Sequence, residues 1–209
     1  LYIDRVHRVF GDDPPLGEFD SDSHVFAASY DANKYGKISG YGLLLDFGNA
    51  PALSSATFGV RYENALVLDA GAGIEAGIVA EFASQRDYAA NAFDYSEDYL
   101  HGEASLTARA WTVRIGYERL GGNGSVGFST PLATLHKFQG FADVFLTTPA
   151  AGIEDLYGTA SYAWKDAPFG AAVTFFAAYH AFEAERGDAD LGEEIDAGVA
   201  IAIRKHWSA

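Results

Sequence analysis

Polar and apolar residues alternate along most of the chain with a period of two. Between 55 and 63, Phe58, Val60 and Tyr62 alternate with Thr57, Gly59, Arg61 and Glu63. In an extended strand successive side chains point to opposite faces, so this segment has one apolar face and one polar face. Between 74 and 85, Ile74, Ala76, Ile78, Ala80 and Phe82 oppose Glu75, Gly77, Glu81 and Gln85. Trp111, Val113, Ile115 and Tyr117 oppose Thr112, Arg114, Gly116 and Glu118, and Ile195, Ala197, Val199, Ile201 and Ile203 oppose Glu194, Asp196, Gly198 and Arg204. Extended to less regular segments, the pattern predicts about ten antiparallel strands, at 1–10, 23–31, 37–47, 55–63, 74–85, 97–108, 111–118, 153–164, 170–184 and 194–204. Several exceed the ordinary strand of about 5–6 residues and reach the roughly 9–11 needed to cross a bilayer at a tilt. The links alternate too. At every other junction longer polar ones are expected at 11–22, 87–96 and 121–152 and shorter ones at 48–54 and 185–190, with tight turns at Asp31–Gly36, Leu66–Gly73, Ala108–Ala110 and Lys165–Gly170; 48–54, with Gly48, Asn49 and Pro51, fits either kind. Short turns at one end and long loops at the other are the asymmetry of an outer-membrane barrel.

The polar rows carry full charges at expected mid-strand positions: Arg61, Glu63, Glu81, Glu103, Arg109, Arg114, Glu118 and Arg204. An Arg or Lys facing lipid at the bilayer midplane costs roughly 2–4 kcal/mol, so these rows are expected to line a hydrated lumen while the apolar rows meet acyl chains. The predicted fold is therefore all-β, an antiparallel transmembrane β-barrel, with 1–209 a single barrel region incomplete at both ends and part of a larger barrel. Tyr30, Tyr41, Phe47, Tyr62, Tyr99, Tyr117, Tyr162, Trp164 and Tyr179 fall near expected strand ends, where amphipathic rings sit at headgroup level. The segment 170–184 breaks the pattern. Val173, Phe175, Ala177 and Tyr179 share a face, but Phe176 and Phe182 fall on the other beside Thr174 and His180, through either a bulge or packing against an inserted loop.

Composition narrows the class. No apolar stretch approaches the roughly 18 residues of a membrane-spanning helix. The chain starts at Leu1 and has no methionine, and it reads as a piece of a longer protein. With no cysteine, disulfides, thiolate metal sites and thiol nucleophiles are excluded. A net charge of −15 with scattered Lys and Arg excludes a nucleic-acid surface.

The richest candidate for function is 121–152, a long inserted or capping loop. Phe128, Leu132, Leu135, Phe138, Phe141, Phe145 and Leu146 make it too apolar to hang in water. It is expected to fold inward and narrow the pore, with His136, Lys137 and Asp143 at the constriction, or else to act as a plug or pack on neighbouring loops. Arg61, Arg109, Arg114 and Arg204 form either a basic track for an anionic solute or ion pairs with glutamates on adjacent strands. Asp12, Asp13, Glu18, Asp20 and Asp22 read as a solvated loop; they have oxygen ligands for Ca²⁺ but not the glycine-centred spacing of an EF-hand. The histidines, His7, His24, His101, His136, His180 and His206, lack any zinc-binding spacing. No cofactor or metal is expected, and no enzyme: GxSxG and the P-loop are missing, and no GxGxxG opens a helix after a strand. Ser105 and His101 share a face of one strand but at i, i+4 lie roughly 13 Å apart.

The stretch STPLATLHKFQGFADVFLTTPAAGIEDLY, Ser129 to Tyr157, resembles a loop and strand entry of the alginate-export family of outer-membrane barrels. RVFGDDPPLGEFDSDSHVFAASYD and EFASQRDYAAN are similar to that family as well. The resemblance covers most of the chain. It implies a closed, porin-like barrel of more strands than are present, in a Gram-negative outer membrane, conducting polar or anionic solutes. Its partners would be outer-membrane lipid and a small polar solute or saccharide. The chain departs from the family pattern at Trp207, Ser208 and Ala209, where an aromatic-terminated last strand is expected, and in an expected lumen with at least as many carboxylates as arginines. The alternative functions are a structural or adhesive barrel whose external loops bind partners, and a soluble periplasmic β-sandwich.

Overall fold

A computed structural model of the chain describes residues 1–8, 17–132, 139–168, 171–203 and 207–208. The alternation forms strands, and the strands pair in sequence order. They are β1 (Tyr2–His7), β2 (Glu18–Asp31), β3 (Lys37–Leu45), β4 (Ser55–Asp69), β5 (Ile74–Asp87), β6 (Ser96–Ala108), β7 (Trp111–Leu120), β8 (Ile153–Ala167), β9 (Ala171–Glu183), β10 (Asp190–Ile203) and the two-residue β11 (Trp207–Ser208). All eleven belong to one sheet in which each pairs antiparallel with its neighbours in the chain. Asn33–Tyr35 and Pro51–Leu53 form two short 3-10 turns.

The ten expected strands are present with shifted limits. β2 starts at Glu18, not 23, so Glu18, Asp20 and Asp22 belong to a strand and not to the solvated loop expected there. β4 continues to Asp69, past the turn expected from Leu66. Leu66, Val67 and Leu68 are three apolar residues in succession, which hides the alternation, yet Leu66 and Val67 still pair with Ala76 and Glu75 of β5.

Register carries each row from strand to strand. On one face Arg61 lies opposite Glu81, Glu81 opposite His101, His101 opposite Glu118, and Glu118 opposite Asp155. On the other, Ile78, Ala104, Ile115, Gly158, Tyr179 and Ile195 form a continuous row across β5 to β10. A one-residue slip anywhere would exchange the faces, so the alternation itself specifies the pairing.

Exposure is inverted relative to a water-soluble protein. On the apolar face Ile115 is 60% and Ile195 77% exposed, whereas on the charged face Asp155 is 2% and Glu118 6% exposed. Among the described residues no second sheet covers the apolar face, and no helix is long and apolar enough to cross a membrane. The sheet is also open. β1 lies at one edge and β11 at the other, with no pairing between them, so the described strands form an open wall and do not themselves close into a barrel.

Large rings cover glycines on the directly opposite strand. Tyr41 lies over Gly59, Tyr157 over Gly116 and Phe176 over Gly198 on the charged face, and Phe26 lies over Gly42 on the apolar face. A Cβ at any of these glycines would overlap the ring. The missing side chain makes room for a flat aromatic contact that returns packing a glycine lacks.

Tight turns gather at one end of the sheet and the longer connections at the other, as expected. The clusters of buried apolar residues lie at the loop end. Phe19, Leu45 and Phe47 form one cluster; Ala83, Leu120, Phe128, Ile153 and Phe182 form the other, with Tyr99 and Phe145 against it. Phe47 is thus a core residue, and Tyr41 and Tyr99 turn to the charged face, so these three are not interfacial rings. Tyr30, Tyr62, Tyr117, Tyr162, Trp164 and Tyr179 lie on the apolar face, with Trp111 against Tyr162 at 5.0 Å.

β9 pairs with β10 without interruption from Ala171 to Phe182, so no bulge moves Phe182. Instead Phe182, 3% exposed, meets Phe145 of the 121–152 segment edge-on at 5.0 Å. Of the two explanations for this strand's pattern, loop packing accounts for Phe182, and Gly198 accounts for Phe176.

Candidate functional site

The charged face carries hydrogen-bonded networks built through the tyrosine-over-glycine contacts. Because Gly59 has no side chain, Tyr41 of β3 reaches across β4 and donates to Glu81 Oε1 of β5 at 2.6 Å. Arg61 Nη1 donates to the other Glu81 oxygen at 2.7 Å, its Nε lies 3.5 Å from Glu63, and Lys37 Nζ lies 3.1 Å from Glu63. The arrangement recurs, run in the opposite direction, across β8 to β6. Tyr157 of β8 crosses Gly116 of β7 and donates to Glu103 Oε2 of β6 at 2.9 Å, while Arg114 Nε lies 3.6 Å from Glu103 Oε1. With the tyrosine proton directed at Glu103, His101 Nε2 is the donor in its 2.9 Å contact with Tyr157 Oη. His101 Nδ1 is then the unprotonated nitrogen, buried and without a hydrogen-bond partner among the described residues.

Flat rings continue across the face. Tyr157 lies near-parallel to His101 at 6.3 Å and to His180 at 5.5 Å, and His180 near-parallel to Phe182 at 5.7 Å. His180 Nδ1 lies 2.8 Å from Asp155 Oδ2.

The 121–152 segment closes over this face near the loop end. Gln85 anchors its start: buried on β5, it donates to Thr57 Oγ1 at 2.8 Å and to the Ser129 carbonyl at 2.9 Å, and accepts from Ser129 N–H at 2.6 Å and from Tyr95 Oη at 3.2 Å. Burial, then the nearby Asp87 carboxylate, pushes the Tyr95 hydroxyl up to about 12, so it remains a neutral donor at physiological pH. Farther along, Gln139 donates to Glu118 Oε2 at 2.5 Å, while Tyr99 Oη donates to Glu118 Oε1 at 2.6 Å. The Phe141 and Ala142 N–H groups donate to Glu194 Oε1 of β10 at 2.5 and 2.9 Å. The loop therefore folds onto the charged face, crossing from β5 to β10.

Of the residues expected at the site, Arg61, Glu63, Glu81, Glu103, Arg114 and Glu118 lie on this face. Both arginines sit in ion pairs with neighbouring glutamates, one of the two arrangements expected for them. Arg109 is displaced from its expected mid-strand place. It occupies the β6–β7 turn, exposed, with φ +57 and its N–H bonded to the Gly73 carbonyl of the neighbouring turn. Asp143 lies just beyond the Glu194 contact, also at positive φ. His136, Lys137, Arg204, Asp12 and Asp13 lie outside the described residues. Glu18 is held near Arg5 at 3.6 Å and His7 at 3.3 Å, and no group of three or more potential metal ligands assembles among the described residues.

Sequence reasoning missed Tyr41, Tyr99, His101, Asp155, Tyr157, His180 and Glu194 as members of these networks. Strand parity alone puts each on the charged face; recognising their contacts needed the register that sets a tyrosine opposite a glycine. Comparison with family models, with curated proteins and with solved structures returned no match. What the fold and the site define is an antiparallel β-wall with one uncovered apolar face and one face of paired charges.

Proposed function

We propose that this wall belongs to a transmembrane β-barrel of the Gram-negative outer membrane, and more particularly to a passive, porin-like channel for polar solutes. The observation that carries the reading is the single sheet with its apolar rows uncovered and its charged rows hydrogen-bonded to one another and partly roofed by an inserted loop. A bilayer is the solvent such a sheet fits, because lipid takes the apolar rows and a hydrated interior takes the charged ones. The open edges at β1 and β10–β11 then pair with further strands, since N–H and C=O groups left unpaired in hydrocarbon are costly. The resemblance of Ser129–Tyr157 to the alginate-export family supports the same class. The charge inventory argues for polar solutes in general over polyuronates, because Arg61 and Arg114 are held by glutamates while Glu118, Asp155 and Glu194 have no Lys or Arg ion pair among the described residues.

Planar-bilayer recording tests the reading. The expected result is stepwise conductance, enlarged when 130–148 are deleted. A protein that inserts without conducting would point to the second reading, a structural or adhesive barrel, which the gathering of long connections at one end favours. Replacing Arg109 and Arg114 with Ser is expected to lower anion preference through Arg114 alone, leaving Glu103 unneutralised; an unaltered reversal potential counts against a solute path along this face.

A further inference from the structure

Residues 139–145 cross the charged face as a strap, and its backbone is unusual. Gln139, Gly140 and Asp143 have φ of +50, +86 and +56. Left-handed backbone is unfavourable for residues with a Cβ and persists where surrounding contacts impose it. A Cβ at Gly140 would collide with the Glu194 carboxylate, so glycine lets the strap approach that group closely. The next two N–H groups, of Phe141 and Ala142, then converge on one Glu194 oxygen. Successive N–H groups turned to one point form a concavity that favours a negative charge. Gln139 on Glu118 and Phe145 on Phe182 also attach the strap, and the Phe141 backbone also bonds the Asp196 carboxylate beside Glu194.

We propose that Glu194 is the catch of a releasable strap: its carboxylate, seated in the 140–142 concavity, holds the inserted loop across the wall, and loss of that seat frees the strap and widens the passage. The first half stands on geometry alone. The second rests on the channel reading.

The full chain, reconstituted in vesicles, is compared with Glu194→Ala and Glu194→Gln, and with Glu193→Ala as a control on the opposite face, where Glu193 accepts from the Tyr179 hydroxyl. Amide hydrogen exchange at Phe141 and Ala142 reads the catch. Exchange at least about tenfold faster is expected in Glu194→Ala, an intermediate rate in Glu194→Gln, and wild-type protection in Glu193→Ala. Unchanged protection in both Glu194 variants overturns the catch. Single-channel conductance reads the passage, with a larger unitary step expected in Glu194→Ala. A freed strap with an unaltered step overturns the gating half. A wild type that inserts but does not conduct refutes the channel reading and with it the gating half, while the exchange measurement still judges the catch. Glu194→Gln, which keeps the side-chain shape and an acceptor oxygen, serves if Glu194→Ala fails to fold.

Discussion

At the residue scale, the charged face depends on side chains that are absent. Tyr41 reaches Glu81, and Tyr157 reaches Glu103, only because Gly59 and Gly116 leave the intervening strand bare. Gly116→Val drives a branched side chain into the Tyr157 ring, and overpacking of this kind costs about 1–3 kcal/mol. Denaturant unfolding in detergent micelles is expected to show that loss, whereas Gly102→Ala, with nothing within 4 Å of an added Cβ, should stay within about 0.5 kcal/mol. A similar loss in both variants would mean that strand propensity, and not ring packing, selects these glycines. Tyr157→Phe removes the hydroxyl that joins His101 to Glu103. With Glu103 left to Arg114 alone, a loss of about 1–3 kcal/mol is expected in the same assay. Little of this was legible beforehand. Alternation assigned Gly116 and Tyr157 to faces, but nothing local to either residue says that one lies over the other.

At the element scale, β9 shows what a broken pattern can mean. The alternation of Val173, Phe175, Ala177 and Tyr179 was readable, and so was the misfit of Phe176 and Phe182. The cause was not, because both residues are explained by other elements: Phe182 by Phe145 of the inserted segment, and Phe176 by Gly198 of β10. The apolar character of 121–152 did announce that the loop folds back. Phe182→Ala opens a cavity between wall and loop, and a large-to-small change at a buried phenylalanine costs roughly 3–5 kcal/mol. Differential scanning calorimetry should register that loss. Adding Phe145→Ala should cost much less than it does alone, since the two rings share one contact. Full additivity would show that they stabilise separate regions. β4 illustrates the opposite error. A run of apolar residues from Ala65 to Leu68 masked a strand that backbone pairing with β5 continues to Asp69.

At the scale of the whole molecule, the two faces predict opposite sensitivities. In a bilayer, Ile115→Arg meets lipid and should cost roughly 2–4 kcal/mol, blocking assembly into vesicles. If water bathed that face, an exposed substitution would stay within about 0.5 kcal/mol, so a variant that inserts and unfolds like the wild type argues against the membrane reading. Overall class and strand order were readable because one period runs through the chain. Alternation dictates which side of a strand is apolar but not whether the first and last strands meet, so the incomplete ends were expected from the resemblance and not from the period.

The sorting of connections by length gives the sheet a head and a tail. Asn91 lies between β5 and β6 among the long links, and Ala72 in the short turn between β4 and β5 at the other end. This chain has no cysteine to confuse the readout, so a single thiol placed at either position is a compass needle. On the proposed outer-membrane reading, a membrane-impermeant maleimide applied to intact cells should stain the protein carrying Asn91→Cys and pass over the one carrying Ala72→Cys until the envelope is broken; equal staining of both counts against that reading.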